Sequence, residues 1–197
     1  MTNPGFDIVI LAAGKGTRMR SALPKVMHAV AGRPLLGHAI ERAKSLQPRA
    51  IHVVYGHGGE SVKATFAGEP VNWVLQAEQQ GTGHALKQAM PAVAGEAVLV
   101  LYGDVPLTRI ETLAPLIAAA ARGRFGLLTQ ILDNPAGYGR LLRDADGRVT
   151  RIVEHKDASE AERAVREINT GILAAPSGRM RGWLDGLSNH NVQGEYY

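Results

Sequence analysis

The run Leu11-Ala12-Ala13-Gly14-Lys15-Gly16-Thr17-Arg18-Met19, followed by Leu23-Pro24-Lys25, combines glycines with cationic side chains behind a strand-like stretch over 7–10. Glycines let backbone approach a ligand closely, and successive N–H groups form an anion-binding concavity. Lys15, Arg18 and Lys25 add positive charge at the same mouth. That chemistry suits a polyphosphate, and a nucleoside triphosphate is the natural candidate.

Two better-known phosphate loops fit poorly. The P-loop requires G-x-x-x-x-G-K-[ST], and no glycine stands at the required upstream position before Gly14-Lys15. The dinucleotide fingerprint requires G-x-G-x-x-G and a later acid for the ribose. Gly14 and Gly16 match it, but Met19 occupies the third glycine position, and the next strand, over 51–55, runs into Gly56-His57-Gly58-Gly59 without an acid.

Other chemistry-bearing residues stand at the ends of further strand-like runs. Gln76 follows a run over 71–75, and Asp104 follows one over 97–102. The Gln76 amide offers donors and an acceptor suited to the edge of a pyrimidine base, with nothing in the spacing to separate uracil from thymine or cytosine, and backbone groups at Ala12 to Gly14 and at Gly81 are further partners. Gly81-Thr82 combines a base wall with a helix cap. A lone Asp at a strand end suits magnesium, which commonly takes one or two carboxylates together with substrate phosphates and water. It equally suits capping of the turn at Val105-Pro106. His84 reads as an ordinary helix residue rather than a catalyst.

An ordered set of segments extends this pattern along essentially the whole chain. It comprises Gln76-Ala77-Glu78-Gln79-Gln80-Gly81-Thr82-Gly83-His84-Ala85, Tyr102-Gly103-Asp104-Val105-Pro106-Leu107, Tyr138-Gly139-Arg140, Ile152-Val153-Glu154, Asn169-Thr170-Gly171 and Gly194-Glu195-Tyr196-Tyr197. Together with the opening loop, the set resembles the sugar-nucleotide nucleotidyltransferases. Within them it is most similar to the uridylyltransferase domains that make UDP-N-acetylglucosamine and pyrophosphate from UTP and N-acetylglucosamine-1-phosphate.

The resemblance implies site residues throughout the chain. Arg18 and Lys25 are the catalytic cations, with Lys25 also touching the sugar nucleotide. Leu11, Ala12, Ala13, Gly14, Gln76, Gly81, Thr82, Tyr102, Gly103 and Asp104 bind the nucleotide portion. Gly139, Glu154 and Asn169 serve the sugar; taken singly, Glu154 reads as a surface acid and Asn169 as a turn residue. The resemblance favours Asp104 as a Mg2+ ligand and implies a second, Asn ligand from a later segment.

The reaction so implied needs no protein base. The second pKa of a phosphate monoester is roughly 6, so the sugar phosphate is already largely a dianion at neutral pH. The protein must instead hold two anions in line and neutralise the leaving pyrophosphate. Two other readings stay open: another nucleotidyltransferase of the same fold, acting on a hexose-1-phosphate or an isoprenoid precursor, and a non-catalytic module that binds nucleotide sugars.

The elements that must position these groups alternate. Apolar runs over 8–12, 51–55, 71–75, 97–102, 125–132 and 168–174 read as strands. Helical spacing joins Leu35, Leu36, Ala39, Ile40, Ala43 and Leu46, with Pro34 at the first helical position. Further helices are expected over 60–66, over 82–93 with an interruption at Pro91, and over 179–187. Thr108 with Glu111, and Ser159 with Glu162, read as capping boxes. A hairpin over 139–154 turns at Asp146-Gly147. The expected architecture is α/β: a Rossmann-like, mostly parallel sheet with helices on both faces, the nucleotide-diphospho-sugar transferase fold, plus a small β-hairpin lobe on the sugar side.

Composition bounds the rest. The chain has 197 residues, of which 45% are hydrophobic and 20% charged, with a net charge of +4 and no cysteine. Disulfides and thiolate metal sites are therefore excluded. Aromatics make up 5% of residues and no basic stripe appears, which argues against nucleic acid as a partner. No apolar run long enough to span a bilayer is present, so the expected compartment is the cytoplasm and no membrane partner is expected. The resemblance implies that residues 1–197 form one pyrophosphorylase domain truncated at its C-terminus. Longer relatives add a left-handed β-helix acetyltransferase domain and form homotrimers; this span is expected to be monomeric and weakly active. Its expected role lies in bacterial envelope precursor synthesis.

Overall fold

The computed structural model describes residues 5–14, 16, 19–56 and 58–197. Lys15, Thr17, Arg18 and His57 lie outside the described residues, so the placements expected for Lys15 and Arg18 have no structural counterpart below.

Alternation along one strand sets the layers. In β1 (Phe6–Leu11), Ile8 and Ile10 join one apolar cluster while Val9 and Leu11 join a second on the opposite face. A strand buried on both faces is what a sheet sandwiched between helices requires. β1 pairs in parallel with β4 (Ala50–Gly56) and β6 (Ala97–Tyr102), and β4 pairs in parallel with β5 (Asn72–Gln76). Helices α1 (Leu35–Ser45), α2 (Glu60–Thr65) and α4 (Ile110–Ala121) supply Leu36, Ile40, Val62 and Leu113 to the first cluster. α3 (Thr82–Ala89) and α6 (Ser177–Asp185) supply Leu86, Met180 and Leu184 to the second.

The remaining strands are antiparallel. β10 (Glu167–Pro176) pairs with β6 and with β7 (Gly126–Ile131), and through Ile168 with Arg140 of β8 (Arg140–Arg143). β8 closes a hairpin with β9 (Val149–Val153). Among the described residues the sheet has eight strands in the path β5-β4-β1-β6-β10-β8-β9, with β7 attached to β10. The α/β class, the helices on both faces and the added hairpin all match the expected architecture. No helix among the described residues is long and apolar enough to cross a membrane.

Several local expectations change. Pro34 precedes α1 as its extended N-cap, at ψ 146°, rather than opening the helix. It belongs to β3 (Arg33–Pro34), which pairs with β2 (Ala29–Val30) in a small ribbon that the helical periodicity masked. The Thr108–Glu111 capping box does not form: the N-cap of α4 is Arg109, without a side-chain cap bond. A one-residue shift of the helix start places Thr108 outside capping reach. The Ser159–Glu162 box is present with both reciprocal bonds, although α5 (Glu160–Arg163) is only four residues long. At Pro91 the helix gives way to a 3-10 turn over Met90–Ala92.

Candidate active site

Strand ends bring the first group of residues together. β1 and β6 stop side by side, with Leu11 opposite Tyr102, and Gly103 N–H donates to the Leu11 carbonyl at 2.9 Å. Ala12 N–H is spent on Val54 at 2.8 Å, whereas Ala13 and Gly14 carry no backbone hydrogen bond through their N–H groups among the described residues. Among the described residues of the opening loop, those two amides remain available to a ligand. Two residues beyond the β6 end, Asp104 forms an ion pair with Lys25, which begins a 3-10 turn over Lys25–Met27. The sequence separation is large, but the first loop folds across the end of β6 and makes the two neighbours.

The segment after β5 folds over the same loop. Gln79 donates through Nε2 to the Ala13 carbonyl. Gln76, almost fully buried, donates through Nε2 both to the Gly81 carbonyl at 3.2 Å and to His84 Nδ1 at 3.0 Å. Gly81 caps α3 with φ 108°, a region that L side chains rarely occupy. A Cβ there would also lie 2.5 Å from the Tyr196 carbonyl. The tail over 195–197 therefore packs on this turn, with Gly83 N–H donating to Tyr196 and Tyr196 N–H donating to Gln80, both at 2.8 Å.

The residues expected to serve the sugar come from the antiparallel half. The β10–β7 register shifts between Asn169 and Leu173, and a bulge of this kind re-aims side chains within a strand. Inside it, Asn169 Oδ1 accepts from Gly171 N–H at 2.9 Å, and Thr170 Oγ1 donates to Leu128 at 2.6 Å. Asn169 N–H donates to the Gly139 carbonyl at 2.9 Å, which ties the bulge to the hairpin. Gly139 lies against the Glu154 carboxyl: a Cβ there would sit 2.8 Å from Oε1, so the carboxylate would have to swing aside. Arg140, fully buried, holds the hairpin base by donating to the Arg163 and Tyr138 carbonyls.

One cleft of about 570 Å³ joins the two halves. Leu11, Thr82 and Tyr102 line it from the parallel half, and Gly139, Glu154 and Asn169 from the antiparallel half. The structure thus places six of the expected site residues around one space. Lys25 and Asp104 pair beside the Tyr102 strand end, and Gln76 and Gly81 form the turn leading into Thr82. Burial and the Asp157 carboxylate raise the Glu154 carboxyl above the usual range; Arg140 partly opposes them and Glu195 adds to the rise. Burial also pushes up the Tyr102 phenol, against a hydrogen bond from Thr82, with the Asp104 and Glu154 carboxylates raising it further. Tyr197, at the same cleft, is pushed up to about 12, chiefly by burial and then by Glu195. The cleft thus carries a carboxyl, Glu154, on its antiparallel side, while Lys25 lies outside its lining in the ion pair with Asp104.

Sequence reasoning passed over several contributors. Phe125 and Trp183 stack edge to face at 5.7 Å and line the apolar wall. Gln79, His84 and Arg140 stand within the segments that carry the resemblance but have no expected site role, His84 reading as an ordinary helix residue; in the structure they act on Ala13, Gln76 and Glu154 rather than lining the cleft. The hydrogen bonds of Gln76 could be found only after folding, since they depend on the path of the turn at Gly81.

Comparisons with known proteins agree with this geometry. Residues 8–163 match the family model of the MobA-like NTP transferase domain. The chain is 61% identical over 192 residues to the bifunctional protein GlmU of Pseudomonas entomophila strain L48, covering 98% of this chain and 42% of that protein. It is 60% identical over 196 residues to the bifunctional protein GlmU of Thiobacillus denitrificans strain ATCC 25259 / T1, covering 99% and 43%. The chain thus spans about two-fifths of the length of these relatives. Among solved structures, a UDP-glucose pyrophosphorylase in complex with UDP-glucose superimposes with a TM-score of 0.75 at 16% identity, covering 95% of this chain and 81% of that one. A putative glucose-1-phosphate thymidylyltransferase from Bacillus anthracis gives 0.72 at 21% identity, covering 89% and 73%. The structural likenesses establish the shared fold, and the family model spans the opening loop, the Gln76 turn and the Asp104 strand end. The chain belongs to the MobA-like NTP transferase domain family.

Proposed function

We propose that this chain is a uridylyltransferase domain that transfers UMP from UTP to N-acetylglucosamine-1-phosphate, yielding UDP-N-acetylglucosamine and pyrophosphate. The carrying observation is the cleft lined both by Leu11, Thr82 and Tyr102 and by Gly139, Glu154 and Asn169. A nucleotide on the parallel strand ends and a sugar phosphate on the bulge would meet within it. About 60% identity to bifunctional GlmU proteins supports this substrate pair over other members of the fold.

In this reading a sugar-phosphate oxygen attacks the α-phosphorus of UTP, and the bond from that phosphorus to the bridging oxygen breaks to release pyrophosphate. The attacking dianion needs no base, so the residues bind and orient. Ala13 and Gly14 amides and Lys25 hold phosphate oxygens, and Arg18 clamps the leaving pyrophosphate. Gln76 and Gly81 hold the base. Glu154 and Asn169 hold hydroxyls and the acetamide, with Gly139 allowing close approach.

Asp104 fits a magnesium ion. It offers hard carboxylate oxygens at a half-exposed strand end, already balanced by one cation. No group of three His, Cys, Asp or Glu residues able to hold a metal is present among the described residues; magnesium commonly takes one or two carboxylates together with phosphates and water. When bound, magnesium would neutralise phosphate charge as pyrophosphate departs. We further propose that residues 1–197 act as one pyrophosphorylase domain, in the cytoplasm, in the supply of envelope precursors.

Pyrophosphate release from UTP and N-acetylglucosamine-1-phosphate with Mg2+, measured against a panel of other triphosphates and sugar phosphates, tests the reading. Preference for a different pair would overturn it. A chain that binds UDP-N-acetylglucosamine without releasing pyrophosphate would instead support a binding module.

A further inference from the structure

We infer that His84 is a positioning residue that sharpens base selectivity by taking the second hydrogen of the Gln76 amide, whose polarity the Gly81 carbonyl sets. This deepens, and rests on, the uridylyltransferase reading. A primary amide carries two N–H hydrogens and one carbonyl acceptor. Gln76 Nε2 lies 3.2 Å from the Gly81 carbonyl and 3.0 Å from His84 Nδ1. Turning the amide over would set Oε1 against the Gly81 carbonyl, two acceptors face to face. Gly81 therefore decides which end of the amide meets the turn, and His84 Nδ1 takes the second hydrogen.

Both donors of Gln76 are then spent within the protein. Oε1 has no hydrogen-bond partner among the described residues, so the group left for a ligand is an acceptor alone. Uracil carries an N–H at the middle of its pairing edge, flanked by two carbonyls. Cytosine carries a lone pair at that position. A fixed acceptor accepts from the first and repels the second. A glutamine free to rotate would serve both, so selectivity lies in the restraint as much as in the glutamine.

The surroundings suit such a restraint. Gln76 is 2% exposed, which leaves its side chain little room to reorient. His84 sits in the first turn of α3, directly after the Gly81 cap. The Tyr196 ring lies 6.3 Å from the imidazole centroid. With Nδ1 accepting, Nε2 carries the ring hydrogen and requires an acceptor, which the Gln88 amide, 3.1 Å away, supplies when its oxygen faces the ring. The imidazole is thus held from three directions, and its Nδ1 is directed at Gln76.

The test is calorimetric titration of UTP and of CTP, with Mg2+, into the 197-residue chain and its variants His84→Phe and His84→Asn, with melting temperatures measured in parallel. Phe keeps the ring and removes the acceptor; Asn places an oxygen acceptor where Nδ1 stands. Wild type is expected to prefer UTP. His84→Phe should shrink the UTP:CTP affinity ratio by about tenfold, the worth of one hydrogen bond, and His84→Asn should recover most of it. An unchanged ratio in His84→Phe, with both affinities or the melting temperature lowered together, would show a structural role only and overturn the inference. So would an Asn variant no nearer to wild type than the Phe variant. Wild-type chain that binds neither pyrimidine triphosphate would overturn the uridylyltransferase reading along with it.

Discussion

The two halves of the sheet present ligand-facing groups by different means. In the parallel half, β1, β5 and β6 end together and each delivers its residues as the chain leaves the strand: Ala13 and Gly14, Gln76, and Asp104. In the antiparallel half the groups lie within or beside strands. Asn169 stands in a bulge of β10, Gly139 just before β8, and Glu154 just after β9. A parallel crossover returns every strand in the same sense, so all strand exits collect at one edge. Antiparallel neighbours alternate in sense, so convergence has to be made by a bulge and a hairpin. The first half offers loop backbone and cations, the second side-chain oxygens around a raised carboxyl.

The halves nevertheless share a core, and that is the first place to strain the comparison. Ile172 of β10 belongs to the same buried cluster as Ile8, Ile40 and Leu113. Ile172→Ala should cost about 2–5 kcal/mol and lower the midpoint of a single denaturant transition in which both halves are lost together. Two resolved transitions would mean the halves are independent units. Next in size is Asp104→Ala, expected to reduce pyrophosphate release on the order of 100- to 1,000-fold while leaving the far-ultraviolet circular dichroism unchanged. Near wild-type turnover would remove Asp104 from the reacting centre.

A smaller effect should separate the two ends of the cleft. Gly139→Ala forces a methyl to within 2.8 Å of Glu154 Oε1. It should raise KM for the sugar phosphate about tenfold, a cost of roughly one lost hydrogen bond, and leave UTP affinity unchanged. Equal losses for both substrates would show that the ends communicate.

The smallest effect concerns pH. Because the folded Glu154 carboxyl is raised, the native state holds a proton that the unfolded chain has already released. Stability therefore falls as pH rises from the ordinary carboxylate range through the raised value. Glu154→Gln should melt slightly higher than wild type at neutral pH, and the gain should disappear in acid, where the wild-type carboxyl is protonated in both states. Thermal melts across that range check it, and a gain that persists in acid would refute the assignment.

Legibility in the sequence follows the same division. The parallel half was readable because buried strands and amphipathic helices have periods of their own: 8–12 and 97–102 as apolar runs, Leu36, Ala39, Ile40 and Ala43 at helical spacing. The Asp146-Gly147 turn and the Ser159 cap were readable because their chemistry is local, and the structure shows Asp144 Oδ1 bridging the Asp146 and Arg148 amides in that turn. The β2–β3 ribbon was not, since two-residue strands carry no period. The N-cap of α4 was misplaced because Thr and Glu three apart satisfy the spacing, whereas the helix starts one residue later, from an Arg109 N-cap. On the sugar side, the residues reached through resemblance, Gly139, Glu154 and Asn169, carry no signal of their own that spacing could detect.

What the sequence determined alone was the set of elements and the chemistry available at the opening loop, because hydrophobic period and glycine placement act over a few residues. Which groups meet was decided only by the tertiary structure. The Lys25–Asp104 pair, the hold of Gly81 and His84 on Gln76, and the hairpin closing on the β10 bulge join residues whose partnership depends on how loops and strands pack. Hydrogen bonding and desolvation act through space, so the charge of Glu154 and the polarity of the Gln76 amide exist only once the chain has brought their neighbours to them.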